Sequence, residues 1–329
     1  MTTHSQPAWA TGRVVSSTPI ADDVRRITIT RPPSGPAAPG SHVDVRVRIG
    51  DSLDVRSYSV VESSEDGGLL TISVLRVPRS RGGSAFMHEL APGDELAVTQ
   101  PLQNFPLRVG APRYVLLAGG IGVTALIEMA RVLRRVGADY TLVYVGRSRE
   151  RMAYAAELAE LHGEQLALHV DAEGTGLDVG SLVGSADERT ELYMCGPIRL
   201  MDAVRRSWQE VGLPPANLRY ETFGSSGWFE PEEFVARIAG RDVEATVGAG
   251  ETLLEALTRA GADLMYDCRK GECGLCLLDV ARLDGTIDHR DVFLSGAQQA
   301  TGASLATCVS RVVALAGAGV PAAVELAIP

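Results

Sequence analysis

The stretch Asp267-Cys268-Arg269-Lys270-Gly271-Glu272-Cys273-Gly274-Leu275-Cys276 holds three cysteines spaced C-x4-C-x2-C, and a fourth, Cys308, follows after 31 residues. Four thiolates at this spacing suit two bridged irons, a [2Fe-2S] cluster, better than one ion. The loop has to curl round such a cluster with its amides close to the sulfurs, and Gly271 and Gly274 stand where a side chain would obstruct that approach. A structural zinc site is the alternative, although zinc motifs pair two close ligands with two more and Cys308 stands alone.

Outward from this loop, 329 residues exceed what one hydrophobic core usually covers, so three domains are expected. With 45% apolar residues the chain is a folded globular protein. A formal net charge of -10 argues against a nucleic-acid or anionic-membrane surface and leaves an acidic face that could steer toward a basic partner. No long apolar run suits a membrane span, and residues 1–6 lack a basic-then-apolar signal, so a cytoplasmic protein is expected. Five cysteines, four of them in a ligand pattern, do not suggest a disulfide framework.

Residues 12–100 read as short alternating strands (24–30, 43–48, 69–75, 95–99) separated by Pro and Gly turns, which predicts an antiparallel β-barrel. From 114 the pattern changes to strand 114–118, helix 124–136, strand 140–145, helix 152–161, strands 166–170 and 191–194, and helix 198–211, an α/β doubly wound domain. Residues 224–233 read as a linker, followed by strands 234–238 and 243–247, a helix over 252–260 and the cysteine loop. The expected division is 1–108, 109–224, linker 225–233 and 234–329.

Gly119-Gly120-Ile121-Gly122-Val123-Thr124 follows an apolar strand and opens a helix, the context in which a glycine-rich loop binds a pyrophosphate. The acidic residue expected after the second strand is replaced by Arg147-Ser-Arg149, whose arginines suit a 2′-phosphate, so NADPH stays open beside NADH. Arg56-Ser57-Tyr58-Ser59 offers an arginine for a phosphate, an aromatic ring for a flavin and two hydroxyls. Arg76-Val-Pro-Arg-Ser-Arg81-Gly82-Gly83-Ser84 runs into a short helix at 85–90, and its arginines, glycine amides and hydroxyl fit a monophosphate.

These segments together resemble the phthalate dioxygenase reductase and vanillate O-demethylase reductase family of the ferredoxin reductase superfamily, over most of residues 12–311. The cysteine loop, Asp288-His289-Arg290-Asp291 and Cys308-Val-Ser-Arg311 resemble a plant-type ferredoxin of α+β β-grasp fold, with His289 a loop-structuring residue. Arg56-Ser-Tyr-Ser59 resembles the superfamily's R-x-Y-S flavin motif, and Cys195-Gly196-Pro197 its C-G-P motif, where the cysteine lies beside the nicotinamide.

The resemblance implies FMN rather than FAD, a preference for NADH, and an aromatic ring at Phe223 over the flavin. Thr124, Cys195 and Phe223 become the candidate catalytic residues, and Cys268, Cys273, Cys276 and Cys308 the cluster ligands. The implied role is the reductase component of a multicomponent oxygenase, passing electrons from NAD(P)H through flavin and cluster to a terminal Rieske-type oxygenase. A cytochrome P450 partner is one alternative, and a zinc-binding interaction module on an inactive oxidoreductase another; a monomer suffices. The chain departs from the family at Asp267, where serine is common, and in an Ala- and Gly-rich final segment, both expected near the partner-docking face.

Overall fold

A computed structural model describes residues 7–50, 52–77, 82–223, 227–315 and 321–328. The chain folds into two compact units, residues 1–196 with 207–221, and residues 197–206 with 222–329.

The first unit begins with strands β1 (Trp9–Ala21), β2 (Val24–Thr30), β3 (Ser41–Ile49), β4 (Ser52–Ser63), β5 (Leu69–Leu75), helix α1 (Gly83–Glu89), β6 (Glu95–Thr99) and the short β7 (Leu102–Gln103). The strand order β4-β5-β2-β1-β6-β3 closes on itself because β3 also pairs with β4, giving a six-stranded antiparallel barrel. Period-two alternation fixes the register: Val43, Val45 and Val47 of β3 turn into the same core as Ile27, Ile29 and Ile72. Met87 of α1 is fully buried in that core.

The chain continues through β8 (Arg113–Gly119), α2 (Val123–Arg135), β9 (Tyr140–Gly146), α3 (Ala155–His162), β10 (Leu166–Val170), α4 (Val179–Gly184), β11 (Thr190–Cys195), α5 (Ile198–Val211), whose residues 198–206 are assigned to the second unit, and β12 (Leu218–Glu221). The sheet is parallel, ordered β10-β9-β8-β11-β12, so the chain walks outward from β8 in one direction and then returns to its other side. The switch point lies between β8 and β11, and ligands of such sheets bind at the carboxyl ends of those strands. Val24, Val61 and Phe105 of the barrel share one apolar cluster with Leu116, Leu126 and Met129, so barrel and sheet form a single unit.

Two details differ from the expectation. Helix α3 starts at Ala155 rather than 152, because Tyr154 takes a left-handed backbone with φ 66° that no helix continues through. Helix α4 and strand β12, too short to show a period, are present where the sequence suggested neither. Residues 224–226 of the expected linker lie outside the described residues, and 227–233 form no helix or strand.

The second unit holds β13 (Phe234–Ile238), β14 (Glu244–Val247), α6 (Leu253–Arg259), β15 (Leu277–Asp284), β16 (Thr286–Asp288), α7 (Gly296–Thr301), β17 (Ser304–Ala306), β18 (Arg311–Val313) and β19 (Ala322–Ala327). A mixed sheet, β14-β13-β19-β15-β17, packs against α6, whose first turn is closed by a reciprocal Thr252/Glu255 capping box, while β16 and β18 pair separately. The alanine-rich final segment supplies β19, the middle strand, with Ala322, Val324 and Leu326 buried. Its composition therefore serves the sheet interior. Among the described residues no helix is long and apolar enough to cross a membrane.

Candidate functional site

In the second unit the cysteine loop joins α6 to β15, and Cys308 follows β17. Cys276 and Cys308 are buried, whereas Cys268 and Cys273 are half-buried. The amides of Lys270 and Glu272 each donate to the Cys268 Sγ at 3.4 Å. Gly271 and Gly274 both take positive φ, 75° and 77°. A Cβ on Gly271 would lie 2.7 Å from the Val309 side chain and 2.9 Å from the Asp291 Cα, so only glycine fits the curl.

The sulfurs face one another. Hydrogen bonding from Cys308 lowers the Cys268 thiol to about 4, helped by the Lys270, Glu272 and Cys273 amides, and lowers Cys276 to about 7. The same contacts push Cys308 up. Four convergent thiols with amides aimed at one sulfur form a donor set that fits a thiolate-held iron–sulfur cluster. His289 lies buried in the loop after β16, its Nδ1 3.5 Å from the Asp291 carboxylate.

In the first unit the flavin candidates fall on both sides of β4. Register sets Arg56 and Tyr58 opposite Val45 and Val43, and Ser57 and Ser59 opposite Asp44 and His42, so strand alternation sends the two pairs to opposite faces. Arg56 Nη1 donates to Asp54 Oδ2 at 2.6 Å and to the Val55 carbonyl at 2.8 Å, while its buried Nη2 has no partner among the described residues. Burial raises the Tyr58 phenol. Ser57 donates to Asp44 Oδ1 at 2.6 Å, and the buried Ser59 hydroxyl has no partner among the described residues.

Gly83, at the start of α1, comes so close to Arg56 that a Cβ there would sit 2.9 Å from its Nε, so the two phosphate segments meet. Gly82 precedes it in a left-handed conformation, and Ser84 Oγ accepts the Val77 amide at 3.2 Å. Arg76 is exposed beside them, and Arg81 lies outside the described residues. Leaving a donor such as Arg56 Nη2 buried and unpaired costs about 1–3 kcal/mol, which a bound phosphate would relieve, so the residues present fit a flavin phosphate.

At the switch point, Gly119, Gly120, Gly122 and Thr124 meet Cys195 and Gly196. A Cβ on Gly122 would lie 2.2 Å from the Cys195 carbonyl oxygen, and one on Gly196 would lie 3.0 Å from the Gly119 Cα. Pro197 leads from there into α5. Thr124 Oγ1 donates to the Ile121 carbonyl at 2.9 Å, leaving lone pairs to accept from a ligand, and Cys195 is only 1% exposed. Phe223 is exposed just beyond β12. Arg147, at the end of β9, is exposed, whereas Arg149 forms a two-pronged pair with Glu173 (2.6 and 2.9 Å). That pair raises the Arg149 guanidinium and lowers the Glu173 carboxyl. Of the two arginines expected to favour a 2′-phosphate, one is already matched by a carboxylate.

Asp44, Asp54, Glu173, Thr222 and Glu272 escaped the sequence. Only Asp54 left a signal, since it lies two residues before Arg56 on the same strand face.

Family profiles match residues 11–106 as an oxidoreductase FAD-binding domain and residues 236–313 as a 2Fe-2S iron-sulfur cluster binding domain. The second spans all four cysteines and displaces the zinc alternative. The chain is 36% identical to phenoxybenzoate dioxygenase subunit beta of Ectopseudomonas oleovorans, over 88% of this chain and 90% of that one. Phthalate dioxygenase reductase, described as a modular structure for electron transfer from pyridine nucleotides to [2Fe-2S], superposes over 98% of both chains with TM-score 0.72 and 28% identity. An intact type IV self-sufficient cytochrome P450 monooxygenase matches 97% of this chain at 35% identity and TM-score 0.64, and the chain spans 41% of that longer protein.

Proposed function

Since this chain belongs to the flavin and [2Fe-2S] oxidoreductase family that contains phthalate dioxygenase reductase and vanillate O-demethylase reductase, we propose that it is the NADH-dependent reductase component of a multicomponent oxygenase. Its terminal acceptor in this reading is a Rieske-type non-haem iron oxygenase. When bound, a flavin accepts a hydride and releases electrons singly, which matches a cluster that takes one at a time.

The residues divide the work. Arg56, Arg76, Arg81 and the Gly82-Gly83-Ser84 amides and hydroxyl hold the flavin phosphate, a terminus suited to FMN, while Tyr58, on the same face of β4 as Arg56, packs on the ring. Gly119, Gly120 and Gly122 admit the pyrophosphate close to the backbone. Thr124, Cys195, Gly196 and Pro197 shape the nicotinamide pocket, and Phe223 covers the flavin until the nicotinamide arrives. Arg147 receives the adenosine end, and Glu173 opposes a 2′-phosphate there. Cys268, Cys273, Cys276 and Cys308 hold the cluster. The segments 1–108, 109–224 and 234–329, joined by 225–233, carry flavin, nicotinamide and cluster in that order. We place the protein in the cytoplasm as a monomer.

The observation that carries this reading is the meeting of Cys308 with Cys268 and Cys276 of a loop in which Gly271 leaves no room for a side chain. Anaerobic stopped-flow mixing with NADH tests it: flavin absorbance should fall before cluster absorbance, and cluster reduction without prior flavin reduction would contradict it. The similarity to the P450 fusion supports a second reading, in which the acceptor is a haem monooxygenase. Turnover with each oxygenase class decides between the two.

A further inference from the structure

Glu272 lies inside the cysteine loop between Gly271 and Cys273, and it joins two parts of the second unit. Its backbone N–H donates to the Cys268 Sγ at 3.4 Å. Its Oε1 accepts the Thr222 N–H at 2.8 Å. The Thr222 hydroxyl lies 2.7 Å from the Lys270 carbonyl and 3.0 Å from the same Oε1, and its single proton can serve only one of them at a time. Thr222 is itself buried, with 4% exposed.

Glu272 is half-buried, and taking a carboxylate even partly out of water is costly unless hydrogen bonds compensate it, a cost that a small uncharged side chain would avoid. What the carboxylate gains is the Thr222 N–H, with the Thr222 hydroxyl shared between it and the Lys270 carbonyl, and Thr222 stands between the end of β12 at Glu221 and the candidate flavin-covering Phe223. The backbone of Glu272 thus steadies a ligand sulfur while its side chain steadies the chain segment that carries Phe223.

We propose that Glu272 is a positioning residue that latches the cluster loop to the backbone at Thr222, so that the cluster cage and the Phe223 segment are held by one side chain. The proposal rests on the reductase reading for its consequence in electron transfer, and on geometry alone for the latch.

The experiment compares Glu272→Ala, Glu272→Asp and Glu272→Gln in the full chain carrying its flavin and cluster. Aspartate keeps the charge but is one methylene too short, whereas glutamine keeps the reach and a carbonyl oxygen. Residue-resolved hydrogen exchange at the Thr222 amide should accelerate roughly two- to tenfold in the alanine and aspartate variants, since a hydrogen bond contributes about 0.5–1.5 kcal/mol and about 1.4 kcal/mol is tenfold. Glutamine should retain most of the protection.

In stopped flow with NADH, cluster reduction should slow in alanine and aspartate and be rescued by glutamine. If aspartate behaves as wild type and glutamine as alanine, charge rather than reach matters and the latch is overturned. Unchanged Thr222 exchange in the alanine variant overturns it equally, and where that variant fails to fold, the aspartate and glutamine pair alone decides. Should wild type show no cluster reduction by NADH, the reductase reading falls, but the exchange result still judges the latch.

Discussion

Replacing Gly271 by alanine should damage the cluster loop far more than the same replacement at Gly261, although both glycines lie in the second unit with positive φ, 75° and 94°. A left-handed conformation costs an alanine about 1–2 kcal/mol at either position. At Gly261 nothing lies within 4 Å of the new methyl group, so that strain is the whole effect. At Gly271 the methyl would be 2.7 Å from Val309 Cγ2 and 2.9 Å from the backbone of Asp291, a residue with no exposed surface, and overpacking of this kind adds about 1–3 kcal/mol. The loop would have to move, taking the Lys270 and Glu272 amides away from the Cys268 sulfur.

The assay is loss of cluster visible absorbance on heating the purified holoprotein, which reports the second unit without assuming that the whole chain melts in one step. For a domain of roughly 100 residues each kcal/mol shifts a midpoint by about 4–8 °C, so Gly271→Ala should lie at least about 4 °C below Gly261→Ala and carry less iron. Equal midpoints and equal iron in the two variants would refute the packing argument.

Gly122→Ala has no φ strain to explain its effect, yet its methyl would press on the Cys195 carbonyl at 2.2 Å. Parting the ends of β8 and β11 should weaken nucleotide-dependent flavin reduction about tenfold or more while leaving chemical reduction of the cluster by dithionite unchanged. Glu173→Ala should free Arg149 for a 2′-phosphate and move the kcat/KM ratio of NADH to NADPH toward NADPH by roughly two- to fivefold, small because the pair is exposed; an unmoved ratio removes Glu173 from nucleotide choice.

His162 is buried with its Nδ1 2.6 Å from the Tyr140 hydroxyl, and desolvation, followed by Arg134 and Arg131, lowers its pKa below 6.5. The unfolded chain therefore binds that proton more tightly than the folded one. The histidine's contribution is fully present above about pH 6.5 and is lost as pH falls through the lower folded value. His162→Gln should flatten the fall in unfolding midpoint between about pH 7 and pH 5, and an unchanged slope would contradict the assignment.

Much of this was legible in the chain itself because the signals are local. Cysteine spacing, the glycine run after an apolar strand and period-two alternation each span a few residues, and each lies where expected in the folded protein. Closure of the barrel was less visible, since it depends on β3 pairing with β4 while β4 also pairs with β5, and no residue type records a second edge. Helix α3 starts late through one backbone angle at Tyr154. The Arg149–Glu173 and Thr222–Glu272 pairs join residues 24 and 50 positions apart, and their partners are ordinary charged or hydroxyl residues until the fold brings them together. The R-x-Y-S motif was read as one unit, although alternation along β4 divides its side chains between two faces.

The most direct test of the account is the metal and sulfide content of the full chain purified without air. Thiolates converging at Cys268, Cys273, Cys276 and Cys308 predict about two irons and two acid-labile sulfides per chain, beside one flavin. A protein holding one zinc, or flavin without stoichiometric iron and sulfide, would contradict it.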